Sequence, residues 1–296
     1  MVKTPLFKGC CTALTTPFTR DGIDYEQLRK NLEFQYENGV EAVLVCGTTG
    51  ENPTVTRNEY EELMRFTVRT VNSRMKVIVG IGSNNTQTAL KNAEDAKFFG
   101  ADGVLMVTPY YNKSTQKGLT EHFSYVADRV DIPMILYNVP SRTGIGISVE
   151  TFKELSGHPN INGVKEASGD ISLTAAIAAA CGNDLFIWSG NDDCTIPMMS
   201  MGALGVISVA SNIVPAATAK LCSLCTEGKF SEATELYGKY AKLFSALFME
   251  TNPIPVKTAL KLMGRDSGIF RLPLCSMSEE NAVKLRNIML ETGINI

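Results

Sequence analysis

Eight short apolar runs, each followed by a stretch of helical spacing, are the feature that most constrains the fold of this chain. The runs are GCCTALTTPF, EAVLVCGTTG, KVIVGIGSN, DGVLMVTPYY, PMILYNVP, INGVKEASG, LFIWSGND and LGVISVASN. They are almost continuously apolar, which is typical of parallel strands buried on both faces. After the second run, Thr56 and Glu59 have the spacing of a capping box at the start of a helix. This alternation predicts an α/β fold, a (β/α)8 TIM barrel.

A doubly wound open sheet is the alternative fold. It would be favoured by a glycine-rich nucleotide loop after the first strand, but LTTPFTRDG has none, and GIGSNN has only two glycines of the dinucleotide fingerprint. From about Val214 onward the pattern is purely helical and longer than one closing helix requires. We therefore predict a catalytic barrel over residues 1–225 and a small C-terminal helical subdomain over residues 226–296.

Composition excludes several classes of protein. The net charge of −3 gives no basic surface for nucleic acid. No apolar stretch approaches the ~20 residues of a membrane helix. The N-terminus MVKTPLFKG lacks the apolar core of a signal peptide, so we expect a cytoplasmic protein with no membrane partner. Cys222 and Cys225 have C-x-x-C spacing without a matching second pair, and buried thiols are a better interpretation than a metal site.

Lys165 lies within the sixth apolar run, where a barrel strand would bury it. A buried ammonium is costly unless it is paired, and Glu166 is a poor partner because neighbours along a strand point to opposite faces. Burial disfavours the charged form of an amine, and a neutral amine can attack a carbonyl to form a Schiff base. A salt bridge with another carboxylate is the alternative. On the residues alone, the Schiff-base and salt-bridge interpretations are equally supported.

Tyr137, in YNVPSRTG, is a candidate proton shuttle for such a lysine. Imine and enamine chemistry needs a group that moves protons, and the two histidines, His122 and His158, lie far from the strand ends. A core tyrosine with a satisfied hydroxyl is the commoner alternative for a single strand tyrosine.

Other polar residues at strand ends suit small carboxylates. Thr48 and Thr49 in GTTGE offer hydroxyls and backbone N–H groups without the Walker lysine of a nucleotide loop, although an ordinary turn is the alternative. Arg142 can bind a second carboxylate bidentately, or be a surface arginine. Acidic residues in SGNDD disfavour a phosphate site after strand seven. We expect a site without phosphate, metal or nucleotide.

Together these segments resemble a known family. CGTTGE, TPYYNK, YNVPSRTG, GVKEASGD, SGNDD, GVISVASN and NPIPVK are similar to segments of the 4-hydroxy-tetrahydrodipicolinate (dihydrodipicolinate) synthases, which are pyruvate-dependent class I aldolases. The likeness extends from Pro17 to Arg271. It implies the condensation of pyruvate with L-aspartate 4-semialdehyde, the first committed step toward diaminopimelate and lysine, without a cofactor.

The resemblance also implies two groups of site residues. The catalytic group comprises Lys165 as the Schiff-base lysine, Tyr137 as the proton donor and acceptor, and Thr48 and Tyr111 as the rest of the proton relay. The substrate-binding group comprises Thr49, Arg142, Ile207 and Gly190. The family is usually a homotetramer built from tight dimers, with Tyr111 reaching into the site of a neighbouring subunit.

One departure concerns feedback by lysine. Family members that lysine inhibits carry two histidines and an acidic residue where this chain has Arg57, Tyr60 and Thr88. Asn84 and Tyr110, which match other lysine contacts, remain. We therefore predict weak or absent inhibition by lysine.

Two competing functions stay open at this point. Other aldolases of the group, such as N-acetylneuraminate lyase or 2-keto-3-deoxy sugar acid aldolases, keep the lysine and tyrosine but need a polyol pocket in place of Arg142. A non-catalytic barrel used for binding is the other alternative, although such a barrel has no reason to bury Lys165.

Overall fold

The computed structural model describes residues 3–296, and these residues form a closed barrel of eight parallel strands. The strands are β1 (Gly9–Ala13), β2 (Ala42–Val45), β3 (Lys76–Gly80), β4 (Gly103–Val107), β5 (Met134–Asn138), β6 (Ile161–Glu166), β7 (Phe186–Ser189) and β8 (Gly205–Ser208). Each pairs with its neighbour in sequence order, and β8 pairs with β1 to close the barrel. The predicted TIM barrel is confirmed, and the doubly wound sheet is excluded.

Twelve helices accompany these strands within residues 3–296. They are α1 (Tyr25–Glu37), α2 (Arg57–Val71), α3 (Thr86–Phe98), α4 (Gln116–Ala127), α5 (Pro140–Thr143), α6 (Val149–Ser156), α7 (Ile171–Cys181), α8 (Thr195–Ser200), α9 (Pro215–Thr226), α10 (Phe230–Ala246), α11 (Ile254–Leu262) and α12 (Glu279–Glu291). The predicted capping box of α2 is present, with Thr56 and Glu59 each bonding the other's backbone N–H. None of these helices combines the length and apolarity needed to span a membrane. The cytoplasmic location stays a prediction.

The strands are apolar on both faces because each face packs against a different part of the core. Ile78, Leu105 and Trp188 belong to the cluster that fills the barrel, whereas Val79 and Met106 belong to the cluster shared with the surrounding helices. Filling both layers with branched and aromatic side chains closes the barrel as a packed core. A polar side chain that points inward is therefore confined to the ends of the strands.

The C-terminal helices α10, α11 and α12 share their own hydrophobic cluster. Leu243, Val256 and Leu285 lie in it together with Val209 and Ile213, which follow β8. The helices thus pack against the carboxyl end of the barrel. The predicted boundary between residues 225 and 226 falls at the last residue of α9, and the division into two units stays a prediction.

Lys3 anchors the N-terminal segment at the opposite end of the barrel. Its Nζ donates hydrogen bonds to the backbone carbonyls of Ser156 (2.6 Å), Ile161 (2.7 Å) and Asp184 (2.8 Å). These three residues lie at the start of β6 or just before β6 and β7, so the lysine ties the chain to the amino ends of the strands.

Candidate active site

The carboxyl ends of the strands surround a cavity of about 190 Å³. Six of the eight predicted site residues line it: Lys165, Tyr137, Thr48, Thr49, Arg142 and Gly190. A larger cleft of about 1000 Å³, lined in part by α10, shares Asn191 and Phe248 with this cavity. The cavity is therefore reached past the C-terminal helices.

Lys165 lies on β6 directly opposite Tyr137 on β5. Only 5% of Lys165 is exposed, and its Nζ lies 4.6 Å from the centroid of the Tyr137 ring. Within residues 3–296 no carboxylate comes close enough to form a salt bridge with it, in contrast to the other buried lysine. The salt-bridge alternative is wrong for this residue, because its amine is buried without an anionic partner.

Glu166, next to Lys165, points to the other face of β6. Its carboxylate accepts hydrogen bonds from the side-chain amide of Asn138 (2.7 Å) and the backbone N–H of Ser168 (2.6 Å). Asn138 Oδ1 accepts from the N–H of Ile147 at 3.0 Å. Burial raises the pKa of Glu166, and these hydrogen bonds oppose the rise. The pair fixes β5 against β6, and hence Tyr137 against Lys165.

Residues 47–51, the GTTGE turn, approach the same cavity from the end of β2. The turn is closed by hydrogen bonds from Gly50 N–H to Gly47 O and from Glu51 N–H to Thr48 O, both 3.1 Å. Within residues 3–296 the N–H groups of Thr48 and Thr49 have no acceptor. Two adjacent free donors beside a buried hydroxyl are suited to bind a small anion.

Asn252 organises this side of the cavity, and sequence reasoning missed it. Its Nδ2 donates to Thr49 Oγ1 at 2.9 Å, and its backbone carbonyl accepts from Arg142 Nη2 at 3.4 Å. Within residues 3–296 the Thr49 hydroxyl donates to no acceptor, so its hydrogen can be donated to a ligand. The only signal in the sequence was the NPIPVK motif, which gave no indication of its partner.

Arg142 lies on α5 at the mouth of the cavity, where its side chain is exposed. It has no carboxylate partner among residues 3–296. A guanidinium held in this way is available to bind a substrate carboxylate through two parallel hydrogen bonds. Its contact with Asn252 and its place at the cavity support a role in binding, which stays a prediction.

Gly190 is required by close packing. A Cβ at this position would lie 2.5 Å from the Cβ of Ala167 and 3.0 Å from the carbonyl oxygen of Glu166. The N–H of Gly190 donates to that same oxygen at 2.7 Å. A larger residue would displace the segment that follows Lys165.

Two predicted residues do not line the cavity within this chain. Ile207 is fully buried in β8, where it pairs with Cys11. The segment after it is held by Asp192, whose carboxylate accepts from Ser208 Oγ at 2.5 Å and from two backbone N–H groups. Tyr111 follows β4 and is 92% exposed.

Comparison with known proteins identifies the family. The dihydrodipicolinate synthetase family matches residues 6–292. The chain belongs to this family. A 4-hydroxy-tetrahydrodipicolinate synthase from Clostridium perfringens is 48% identical over 289 residues, 98% of this chain and 99% of that protein.

Solved structures of dihydrodipicolinate synthases have the same fold. The Aquifex aeolicus structure has 46% identity and a TM-score of 0.96, covering 98% of this chain and 99% of that one. The chloride-inhibited Acinetobacter baumannii structure, complexed with pyruvate, has 40% identity and a TM-score of 0.95, covering 97% and 99%. The family and enzyme class predicted from the motifs, a lyase of the dihydrodipicolinate synthase type, are confirmed, and a non-catalytic barrel is excluded.

Proposed function

We propose that this chain condenses pyruvate with L-aspartate 4-semialdehyde through a Schiff base on Lys165. The observation that carries the proposal is a buried amine without an ion-pair partner, in a cavity that also holds unpaired donors for carboxylates. The pyruvate complex of the Acinetobacter baumannii relative supports a keto acid as the first substrate.

The first half of the mechanism activates pyruvate. The neutral Lys165 amine attacks the keto carbon, and loss of water leaves an iminium cation that draws electrons from the adjacent methyl group. Tyr137, whose ring lies against the lysine amine, delivers and accepts the protons of these steps. Removal of a methyl proton gives the enamine. Thr49 and the free N–H groups of the GTTGE turn hold the carboxylate of the keto acid.

The second half forms the new carbon–carbon bond. The enamine attacks the aldehyde carbon, whose oxygen takes up a proton to become a hydroxyl group. The amine of the second substrate then displaces Lys165 from the iminium and closes the ring, so the free lysine returns. The water lost when the first imine forms is the only one released. Arg142 holds the carboxylate of the semialdehyde during these steps.

We also propose that the working enzyme is at least a dimer, and a homotetramer in its full assembly. Tyr111 has an exposed ring and a left-handed backbone with a φ of 69°, which is uncommon for a bulky residue and is enriched at functional sites. An adjoining cavity of about 260 Å³, lined by Tyr110, Thr48 and Tyr137, can accept an aromatic ring from a second copy. In that arrangement Tyr111 would complete the proton relay of its neighbour.

Reductive trapping tests the Schiff base. Borohydride added with pyruvate should give a stable mass increase at Lys165 in the wild-type protein and none in Lys165→Ala. A coupled assay with pyruvate and the semialdehyde should show activity that the same variant lacks. If the wild-type protein gains no mass, the proposed Schiff-base mechanism is refuted.

The second substrate is tested at Arg142. Arg142→Ala should still trap pyruvate but should lose most of its kcat/KM for the semialdehyde, by about 1.5 to 3 kcal/mol for a lost charged contact. Unchanged use of the semialdehyde would instead favour an aldolase for sugar acids.

A further inference from the structure

The NPIPVK segment, residues 252–257, ends on a lysine that the mechanism does not use. Lys257 is fully buried, and its Nζ donates to Glu51 Oε1 at 2.5 Å. It also donates to the backbone carbonyls of Ile269 at 2.7 Å and Thr16 at 3.1 Å. Both charged side chains of the pair are 0% exposed.

Glu51 is the last residue of the GTTGE turn and has a left-handed backbone with a φ of 54°. Its second carboxylate oxygen accepts from the N–H of Arg271 at 3.3 Å. A glutamate is an unfavourable choice for a left-handed position, where glycine or asparagine fits better. The side chain is therefore required there for its contacts rather than for its backbone.

The NPIPVK segment holds the turn at two points. Asn252 bonds the hydroxyl of Thr49, and Lys257 bonds the carboxylate of Glu51. Thr48, which lies between the strand end and these two contacts, is fixed with them. A buried ion pair is weak evidence for stability, since neutral packing often does as well. Conformational specificity of the turn is the better reason for retaining this pair.

We propose that Lys257, acting through Glu51, is a positioning residue for pyruvate binding and proton transfer. It touches no substrate; it sets the conformation of the turn that carries Thr48 and Thr49. This inference rests on the proposed function, because it assigns the turn to the carboxylate of the keto acid.

Three variants separate positioning from stability. Lys257→Met leaves Glu51 charged and unpaired in the core, so it should lose both stability and activity. The double variant Glu51→Gln with Lys257→Met removes both charges of the pair, leaves neither one unpaired, and should remain folded. The control Lys3→Met removes a lysine bound to three carbonyls at the far end of the barrel.

The measurements are the thermal unfolding midpoint, kcat, KM for pyruvate and borohydride trapping at low pyruvate. The double variant should unfold close to the wild-type midpoint, with kcat/KM for pyruvate lowered about 100-fold, as expected for a displacement of about 1 Å at the site. Lys3→Met should unfold earlier but keep the wild-type KM for pyruvate.

Other results would overturn the proposal in identifiable ways. A folded double variant with wild-type kcat/KM and trapping would show that the pair serves stability alone. An equal rise in KM for Lys3→Met would show that any loss of stability weakens pyruvate binding. If wild-type protein itself fails to trap pyruvate, the proposed function fails rather than the positioning role.

Discussion

At the scale of single residues, two buried lysines have opposite environments. Lys257 is paired with a carboxylate and two carbonyls, so its charge is stabilised in place. Lys165 is buried against an aromatic ring with no anion beside it. The first arrangement engages the lysine Nζ in an ion pair and two hydrogen bonds, whereas the second leaves the Lys165 Nζ without an ion pair, as the proposed nucleophile requires. The partner, rather than burial itself, distinguishes a positioning lysine from a nucleophile.

Tyr137→Phe tests the proton shuttle. The phenylalanine ring keeps the contact with the lysine amine but removes the hydroxyl, so we expect kcat to fall about 10²- to 10⁴-fold, the usual contribution of general acid–base catalysis. Borohydride trapping after long incubation should still modify Lys165, only more slowly. A kcat within a few-fold of the wild-type value would assign proton transfer to another group.

Asp266 gives a pH dependence of stability. Burial raises the pKa of its carboxyl to about 6 from an ordinary 3.8, and one of its oxygens has no hydrogen-bond partner within residues 3–296. The folded chain therefore binds this proton more tightly than the unfolded chain, and stability falls as pH rises from about 4 to about 6. Asp266→Asn avoids this loss.

We expect the free energy of unfolding of Asp266→Asn, relative to wild type, to rise by about 2 kcal/mol between pH 4 and pH 7. Urea titrations at both pH values measure it. A difference between the two proteins that does not change with pH would contradict the assignment.

At the scale of elements, the alignment of β5 and β6 depends on Asn138. Asn138→Ala would remove the bond to the Glu166 carboxylate and leave the N–H of Ile147 unpaired. We expect a loss of about 2 to 4 kcal/mol in the free energy of unfolding, together with a lower kcat, because Tyr137 and Lys165 lie on these strands. Asn58→Ala, at an exposed position of α2, is the matched control and should change neither quantity.

The sequence predicts the strands and helices better than it predicts the long-range contacts between them. Apolar runs with helical spacing between them were enough to predict the barrel, and Lys165 was conspicuous because a charge interrupts such a run. Asn252 and Lys257 could not be found in this way, since their partners are 203 and 206 residues distant in the chain. Periodicity reports which face of an element is buried, but not which distant group satisfies a buried polar atom.

At the scale of the whole molecule, the side chains that led us to predict weak or absent inhibition by lysine make contacts within the chain. Arg57 pairs with Glu61 and Asp95, and the hydroxyl of buried Tyr60 donates to the carbonyl of Gly80 at 2.9 Å. We expect millimolar lysine to leave the activity nearly unchanged. The assay should include sodium chloride at matched ionic strength as a control, and strong inhibition specific to lysine would refute the prediction.

A site shared between subunits, as proposed for Tyr111, is a property that only an assembly can have. If Tyr111 serves the neighbouring subunit, Tyr111→Phe and Lys165→Ala should each have little activity alone, because each destroys a different part of every site. Unfolding and refolding an equal mixture should produce hybrid dimers. In a hybrid, the Lys165 of one subunit meets the intact Tyr111 of the other, so one of its two sites is complete.

Random pairing predicts recovery of about one quarter of wild-type activity, because about half of the dimers are hybrids and each has one working site. Refolded single variants are the controls. A mixture no more active than those controls would place Tyr111 in the site of its own subunit or outside the relay.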